Sequence, residues 1–437
     1  MATAEPPEIT PLPPVAGVAL PWDEVVPDPI AALGAARAAH GDTFVVDGAH
    51  DRVLFLFSPA GVRSFYGLAE EEASKGVADW RMLRRKLPAE LFSGRRTLPH
   101  ELFGRHDVAA HLDHLAQALD DTEAELGDEA DVDVFAFTRR LAHRMGLASW
   151  AGPASARGAR FEALVAALDA LDASDAFVRP DLMAQVAADD QATERAALAA
   201  ATALLSETLA EHDAAGPAAA PEGDLFGRIV ERWDGEDPDV RRTGIAHDVV
   251  LVHLGSMSNL FAALGWTVVD LVLRPDVLAA ALDDPRLLER CALESTRIAQ
   301  RSIMLRHVLA PVDVDTGPDH GRVAVAPGAT VATLLPLTNT TAAPGLDRWD
   351  PDRWRGRRLG PHDGLPAPEL VTAFGHGSHT CPAQPFSLAV ITRTVARLAT
   401  AYALTPGFTG ASPLPAQVGG VARAAAPCPL HLGRRDP

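Results

Sequence analysis

The chain has 437 residues, 47% of them hydrophobic and 22% charged, with a formal net charge of −19. That length buries a large core, and the composition is that of a soluble globular protein, not a disordered one. Phosphate affinity needs clustered Lys and Arg, so the acidic balance excludes a general nucleic-acid binder. Alanine, leucine and arginine dominate and there are only 2 tyrosines, which favours a mainly helical fold over an all-β one. The 3 cysteines, Cys291, Cys381 and Cys428, are too few and too scattered for a disulfide framework or a zinc site, and their odd number suits a reducing cytosol.

Met1 to Pro14 is proline-rich and acidic, without the basic-then-apolar pattern of a signal peptide. It is expected to be a flexible tail on a cytoplasmic protein. A helix is predicted over Pro29–His40, stopped by Gly41-Asp42, followed by strands Thr43–Val46 and Arg52–Phe57. Residues 60–105, with Arg84, Arg85, Lys86, Arg95 and Arg96, read as a long adaptable segment of the kind that covers a ligand. Helical periodicity runs over Asp107–Leu126, Phe135–Ala151, Arg160–Leu171 and Ala187–His212. Ala214–Gly223 is a low-complexity Ala/Pro/Gly connection inside one domain.

Helices are then predicted over Leu225–Trp233, Asp239–Leu273, Asp276–Leu282 and Arg286–Arg301. Within the second, Val249–Val269 holds no Asp, Glu, Lys or Arg over 21 residues, a membrane-spanning length. Its middle reads His253-Leu254-Gly255-Ser256-Met257-Ser258-Asn259, and polar side chains there would be costly facing lipid. A helix buried through the centre of a large domain fits better, so no membrane anchor is expected. From Val308 the texture changes to short strands, Val312–Val314, Arg322–Ala324 and Thr330–Leu334. Helix returns after Cys381, and Leu404–Leu432 again reads as strand and turn. No internal repeat occurs, and residues 1–437 read as one domain, mainly α with a small β region.

The richest stretch is Ala373-Phe374-Gly375-His376-Gly377-Ser378-His379-Thr380-Cys381-Pro382-Ala383. Glycines at alternate positions let the backbone fold back closely, and an apolar helical run follows the cysteine. A cysteine near a helix N-terminus is favoured as a thiolate, which is a soft axial ligand for haem iron. Upstream, Glu294 and Arg297 stand three apart on one helix face and can pair. Between the two lies Asp350-Pro351-Asp352-Arg353-Trp354, a turn carrying another arginine.

Glu-x-x-Arg, a later arginine and a Phe-Gly-x-Gly-x-x-x-Cys loop, in this order, resemble the cytochrome P-450 family of haem-thiolate enzymes, bacterial soluble type. The resemblance implies the cytochrome P-450 fold with haem b held by Cys381 and framed by Phe374, Gly375, Gly377, His379 and Ala383. It makes Glu294, Arg297 and Arg353 a structural charge network. It also places Arg306 and His379 where members supply donors to a haem propionate. A further basic group is expected from the first third, with Arg105, His106, His111 and His114 as the candidates.

Two departures from the family pattern stand out. Ala383 replaces the glycine common two residues after the cysteine, and Pro382 removes a backbone N–H that could have reached the sulfur, which leaves the thiolate more electron-donating. In the buried helix, where oxygen-activating members carry an acid and a threonine, this chain has Gly255, Ser258 and Asn259. The function implied is a monooxygenase that inserts one atom of dioxygen into a small organic substrate. Its electrons come from NAD(P)H through a ferredoxin and ferredoxin reductase, and the protein is expected to be a monomer. Asn259 motivates an alternative, a haem-thiolate isomerase, dehydratase or peroxygenase that acts on peroxides without a reductase. A non-catalytic haem-binding protein is the third possibility. Pocket walls are expected from residues 66–100, 175–190, 250–260, 302–310 and 418–421, and Arg357 and Arg358 are expected to dock an acidic ferredoxin.

Overall fold

The computed structural model describes residues 6–436 except 95–96, 98, 105–106, 173–178, 217–224 and 357–358. Its first half runs β1 (Ile9–Thr10), α1 (Pro29–His40), β2 (Thr43–Asp47), β3 (Arg52–Leu56), α2 (Pro59–Gly67), β4 (Ala73–Ser74), α3 (Lys75–Leu83), α4 (Pro99–Leu102), α5 (Asp107–Leu126), β5 (Glu129–Asp133), α6 (Val134–Trp150), α7 (Gly158–Leu171), α8 (Pro180–Ala188) and α9 (Ala192–Ala215). There follow α10 (Leu225–Glu231), α11 (Pro238–Val272), α12 (Pro275–Asp283), α13 (Pro285–Ala299), β6 (Ile303–Val308), β7 (Val312–Asp315), β8 (Arg322–Val325), β9 (Thr330–Leu334), α14 (Leu335–Thr341), α15 (Gln384–Ala401), β10 (Tyr402–Pro406) and β11 (Pro429–Arg434). Helix accounts for 56% and strand for 13%, so the fold is mainly α with small sheets.

Helices start where the sequence supplies an acceptor for a free amide. Asp28 accepts from Ala31 N–H before α1, Ser58 from Gly61 N–H before α2, and Asp133 from Ala136 N–H before α6. α1 stops at Gly41, whose φ of 88° suits glycine. The helix expected over Ala187–His212 is in fact two, α8 and α9. Asp190 and Gln191 between them take φ of 54° and 58°, left-handed values that end a helix, and the alanine-rich run hides that break from a periodicity argument.

The central sheet has strand order β2-β3-β9-β6-β4, with β3 and β9 parallel and every other pair antiparallel. β6 was not expected, because the preceding helix stops at Ala299 and not at Arg301. Being buried almost throughout, β6 lacks the alternation that marks a half-exposed strand. Its Arg306 and His307 leave on opposite faces of the sheet. Two smaller sheets, β1-β8-β7 and β10-β11-β5, join the termini to the middle of the chain, and the first corrects the flexible tail expected over Met1 to Pro14: Ile9 is buried in β1 and Pro14 O accepts from Val45 N–H.

α11 packs against α6, α9, α13 and α15. Its apolar stretch makes it the one helix among the described residues long and apolar enough to cross a membrane, and 67% of that window is buried inside the protein. The main core cluster draws on residues from Val62 to Leu430, with Leu260, Phe261 and Leu264 of α11 in its middle.

Candidate functional site

Backbone hydrogen bonds close the cysteine loop on itself. Cys381 N–H donates to Phe374 O at 2.7 Å, and Thr372 Oγ1 donates to Gly375 O at 3.0 Å. Gly375 has φ +82°, and a Cβ there would stand 2.4 Å from His379 O, so no other residue fits this turn. Three residues after the cysteine α15 begins. Pro382 lies in the turn between them and is exposed, outside the helix.

Of the three thiols only Cys381 is within reach of a ligand. Cys291 and Cys428 are buried, whereas Cys381 is half-buried. Burial pushes the Cys291 thiol up to about 12 and the Cys428 thiol up to about 11. Burial also raises the Cys381 thiol, but there the N–H of Ala383 acts in the opposite direction by favouring the thiolate. The amide that favours the thiolate is that of Ala383, and not that of residue 382.

The charge network is assembled in the core. Glu294 and Arg297 are both fully buried and pair bidentately, with Arg297 Nε and Nη2 donating at 2.8 and 2.7 Å. Glu294 also accepts from Trp354 Nε1 at 2.9 Å and Asp350 N–H at 3.0 Å, while Arg353 Nε stands 3.4 Å away. Arg297 Nη1 donates to Leu346 O at 2.8 Å. A buried pair with its remaining donors and acceptors met in this way holds its geometry.

Asn339 and Gln300, which a reading of the sequence alone missed, bind the network to the cysteine loop. Asn339 is fully buried, donates to Arg297 O at 3.2 Å and Thr372 O at 2.9 Å, and accepts from Thr372 N–H at 2.8 Å. Gln300 Nε2 donates to Ala373 O at 2.9 Å. Both amides match backbone groups that are 33 and 73 residues away in sequence, a pairing that no local pattern signals.

Arg306 and His379 meet. Arg306 is 1% exposed and donates to Ala73 O at 2.7 Å and to His379 Nε2 at 2.7 Å. Burial, and then the charge of Arg306, hold His379 below the usual histidine range. The two basic groups expected here thus amount to one guanidinium and one neutral imidazole.

The middle of α11 has an open face. Gly255 and Asn259 are exposed and Ser258 half-buried, while His253, Met257 and Leu260 are buried. A Cβ on Gly255 would meet no atom within 4 Å. Asn259 is also tied: its Oδ1 accepts from Val421 N–H at 2.9 Å, fixing the 417–421 loop beside the end of α13. The carbonyl end of this carboxamide, expected to serve oxygen chemistry or substrate, is engaged in a backbone tether. Val421 in turn bridges Gln300, so α11, the 417–421 loop and the cysteine loop form one connected set.

Among the first-third candidates, His111 faces the core. It is fully buried against Phe103 and Phe386, with ring centroids at 5.4 and 4.5 Å, and Nε2–H donates to Leu102 O at 3.2 Å. Its Nδ1 is buried without a partner in the protein. His114 is half-buried, with Nδ1 3.2 Å from Ser149 Oγ. Arg105, His106, Arg357 and Arg358 lie outside the described residues. No known family model matches the chain, and no curated protein matches it in sequence.

Proposed function

We propose that this chain is a haem-thiolate monooxygenase of the cytochrome P-450 type, a single cytoplasmic haem-binding domain acting on a small organic substrate. The observation that carries the reading is the coupling of two parts. A reachable cysteine in a closed glycine loop is fastened through Asn339 and Gln300 to a helix whose Glu294–Arg297 pair is wholly buried. The donor set fits the cofactor: one soft sulfur ligand, a buried guanidinium at Arg306 for a carboxylate, and an open helix face at Gly255 with room beside it. When bound, haem supplies the activation of dioxygen, with electrons from NAD(P)H through a ferredoxin and its reductase.

The chain's own residues hold and orient. Ala383 N–H and the loop's closure fix the Cys381 sulfur, and Glu294, Arg297 and Arg353 make the platform beneath it rigid. Arg306, which already donates to Ala73 O and His379 Nε2 and faces Glu70 Oε2 at 3.5 Å, would turn an Nη N–H to a haem carboxylate. Ser258 Oγ and Asn259 Nδ2 can hold a water at the open face. Neither is acidic enough to be a strong proton source, so they position protons and do not supply them.

The absence of a carboxylate from residues 255–259 favours a second reading, in which a peroxide replaces dioxygen and reductase. Purified protein should be assayed with ferredoxin, reductase and NAD(P)H, and separately with cumene hydroperoxide alone. Product formation coupled to NAD(P)H is the expected result. Rapid hydroperoxide conversion with no NAD(P)H consumption would replace it by the second reading.

A further inference from the structure

On the face of β6 opposite Arg306, the central sheet and α3 enclose a cleft of about 350 Å³. Arg81 of α3 and Arg84 and Arg85 of the turn that follows it line its rim. One lining carboxylate, Asp51, stands among them, 3.8 Å from Arg81 and 3.9 Å from Arg85, both beyond hydrogen-bond range. Three guanidiniums against one carboxylate among the lining residues make a cationic hollow in a molecule whose net charge is −19. Arg81 Nη1 also lies 2.9 Å from His307 Nδ1, which accepts and therefore adds no charge of its own.

The lining is built for an apolar body as well as an anionic head. Met82 and Leu305 wall the cleft, and Trp80, 41% exposed, carries Arg84 on its ring at 4.6 Å. Trp22 also lines it; that residue is only 7% exposed, yet its indole N–H has no acceptor in the protein. A buried donor left without a partner is uncommon and calls for one. Guanidinium forks and an indole N–H are matched by carboxylate or phosphate oxygens, and the aromatic and aliphatic walls by a hydrocarbon chain or ring.

We propose that this cleft is a second ligand site, which binds a small amphiphilic anion: a carboxylate or phosphate head on an apolar body. Its walls draw on 66–100 and 302–310, two of the segments expected to wall the substrate pocket, but the proposal stands on the cleft's own residues and does not depend on the reading of the cysteine site. Strand β6 separates the two, with His307 on the cleft side and Arg306 on the cysteine side.

The test is calorimetric titration of the purified full chain with octanoate, octyl phosphate and neutral octan-1-ol, on native protein and on the Arg81→Gln/Arg85→Gln double variant. Saturable binding of an anion is expected, at least ten-fold tighter than octan-1-ol, and weakened at least ten-fold in the double variant. Whichever head binds the tighter identifies the source as carboxylate or phosphate. Trp80→Ala, at a position 41% exposed, should weaken the binding of either anion. Binding of octan-1-ol as tight as octanoate, full affinity in a folded double variant, or no saturable anion binding up to millimolar concentrations would overturn the proposal.

Discussion

At the scale of the residue, what each side chain can do is decided by its partners. Glu294 is fully buried and receives donors from Arg297, Trp354 and Asp350. Removing it leaves Arg297 charged in the core with part of its fork unmet, at a cost of about 3–5 kcal/mol. Glu294→Ala should therefore lower the unfolding free energy by that order in urea titrations, and normal melting would show that the network is dispensable. Asn259 gives a gentler test. Asn259→Ala frees Val421 N–H, a loss of about 1–3 kcal/mol of local hydrogen bonding. Faster amide exchange confined to residues 417–421 is expected, and unchanged exchange there would mean the tether carries nothing. The pairing of Glu294 with Arg297 was legible in the sequence, since spacing on a helix determines it. Trp354 and Asn339 were not, because their partners come from chain folded back over tens of residues.

At the scale of the element, buried histidines make stability depend on pH. Burial lowers His111 from 6.5 to about 4, and His253, stacked on His143 at 5.0 Å, is also lowered by burial. A depressed histidine pKa means that the unfolded chain takes up the proton first. Stability is then full above the unfolded value and is lost as pH falls from about 6.5 toward about 4, where the loss from His111 alone reaches about 3 kcal/mol. The native protein should melt lower at about pH 5 than at about pH 7.5, and His111→Phe should shrink the difference while keeping the ring stack. Equal melting temperatures in the native protein would contradict this. Most elements were legible from periodicity and caps, including α11, whose apolar run and polar centre identified it as a core helix. β6 was not, because a strand buried on both faces has no alternation to read. The α8–α9 break was not either, because two left-handed residues leave no compositional mark.

At the scale of the whole molecule, the sequence placed one cysteine loop, one charge network and one polar patch on a long helix, hundreds of residues apart in part. The fold joins them through Asn339, Gln300 and Val421. The order of motifs was legible because each carries its own chemistry; the joints were not, because amides bonding backbone look like any surface Asn or Gln. The central claim is that Cys381 is the sulfur that meets haem iron. The measurement that tests it most directly is the absorption spectrum of the reduced, carbon monoxide-bound protein. Native protein, Cys291→Ala and Cys428→Ala should all show the red-shifted Soret band typical of thiolate ligation, and Cys381→Ala should lose it. A band that survives in Cys381→Ala, or that is lost in either of the other two variants instead, would contradict the account.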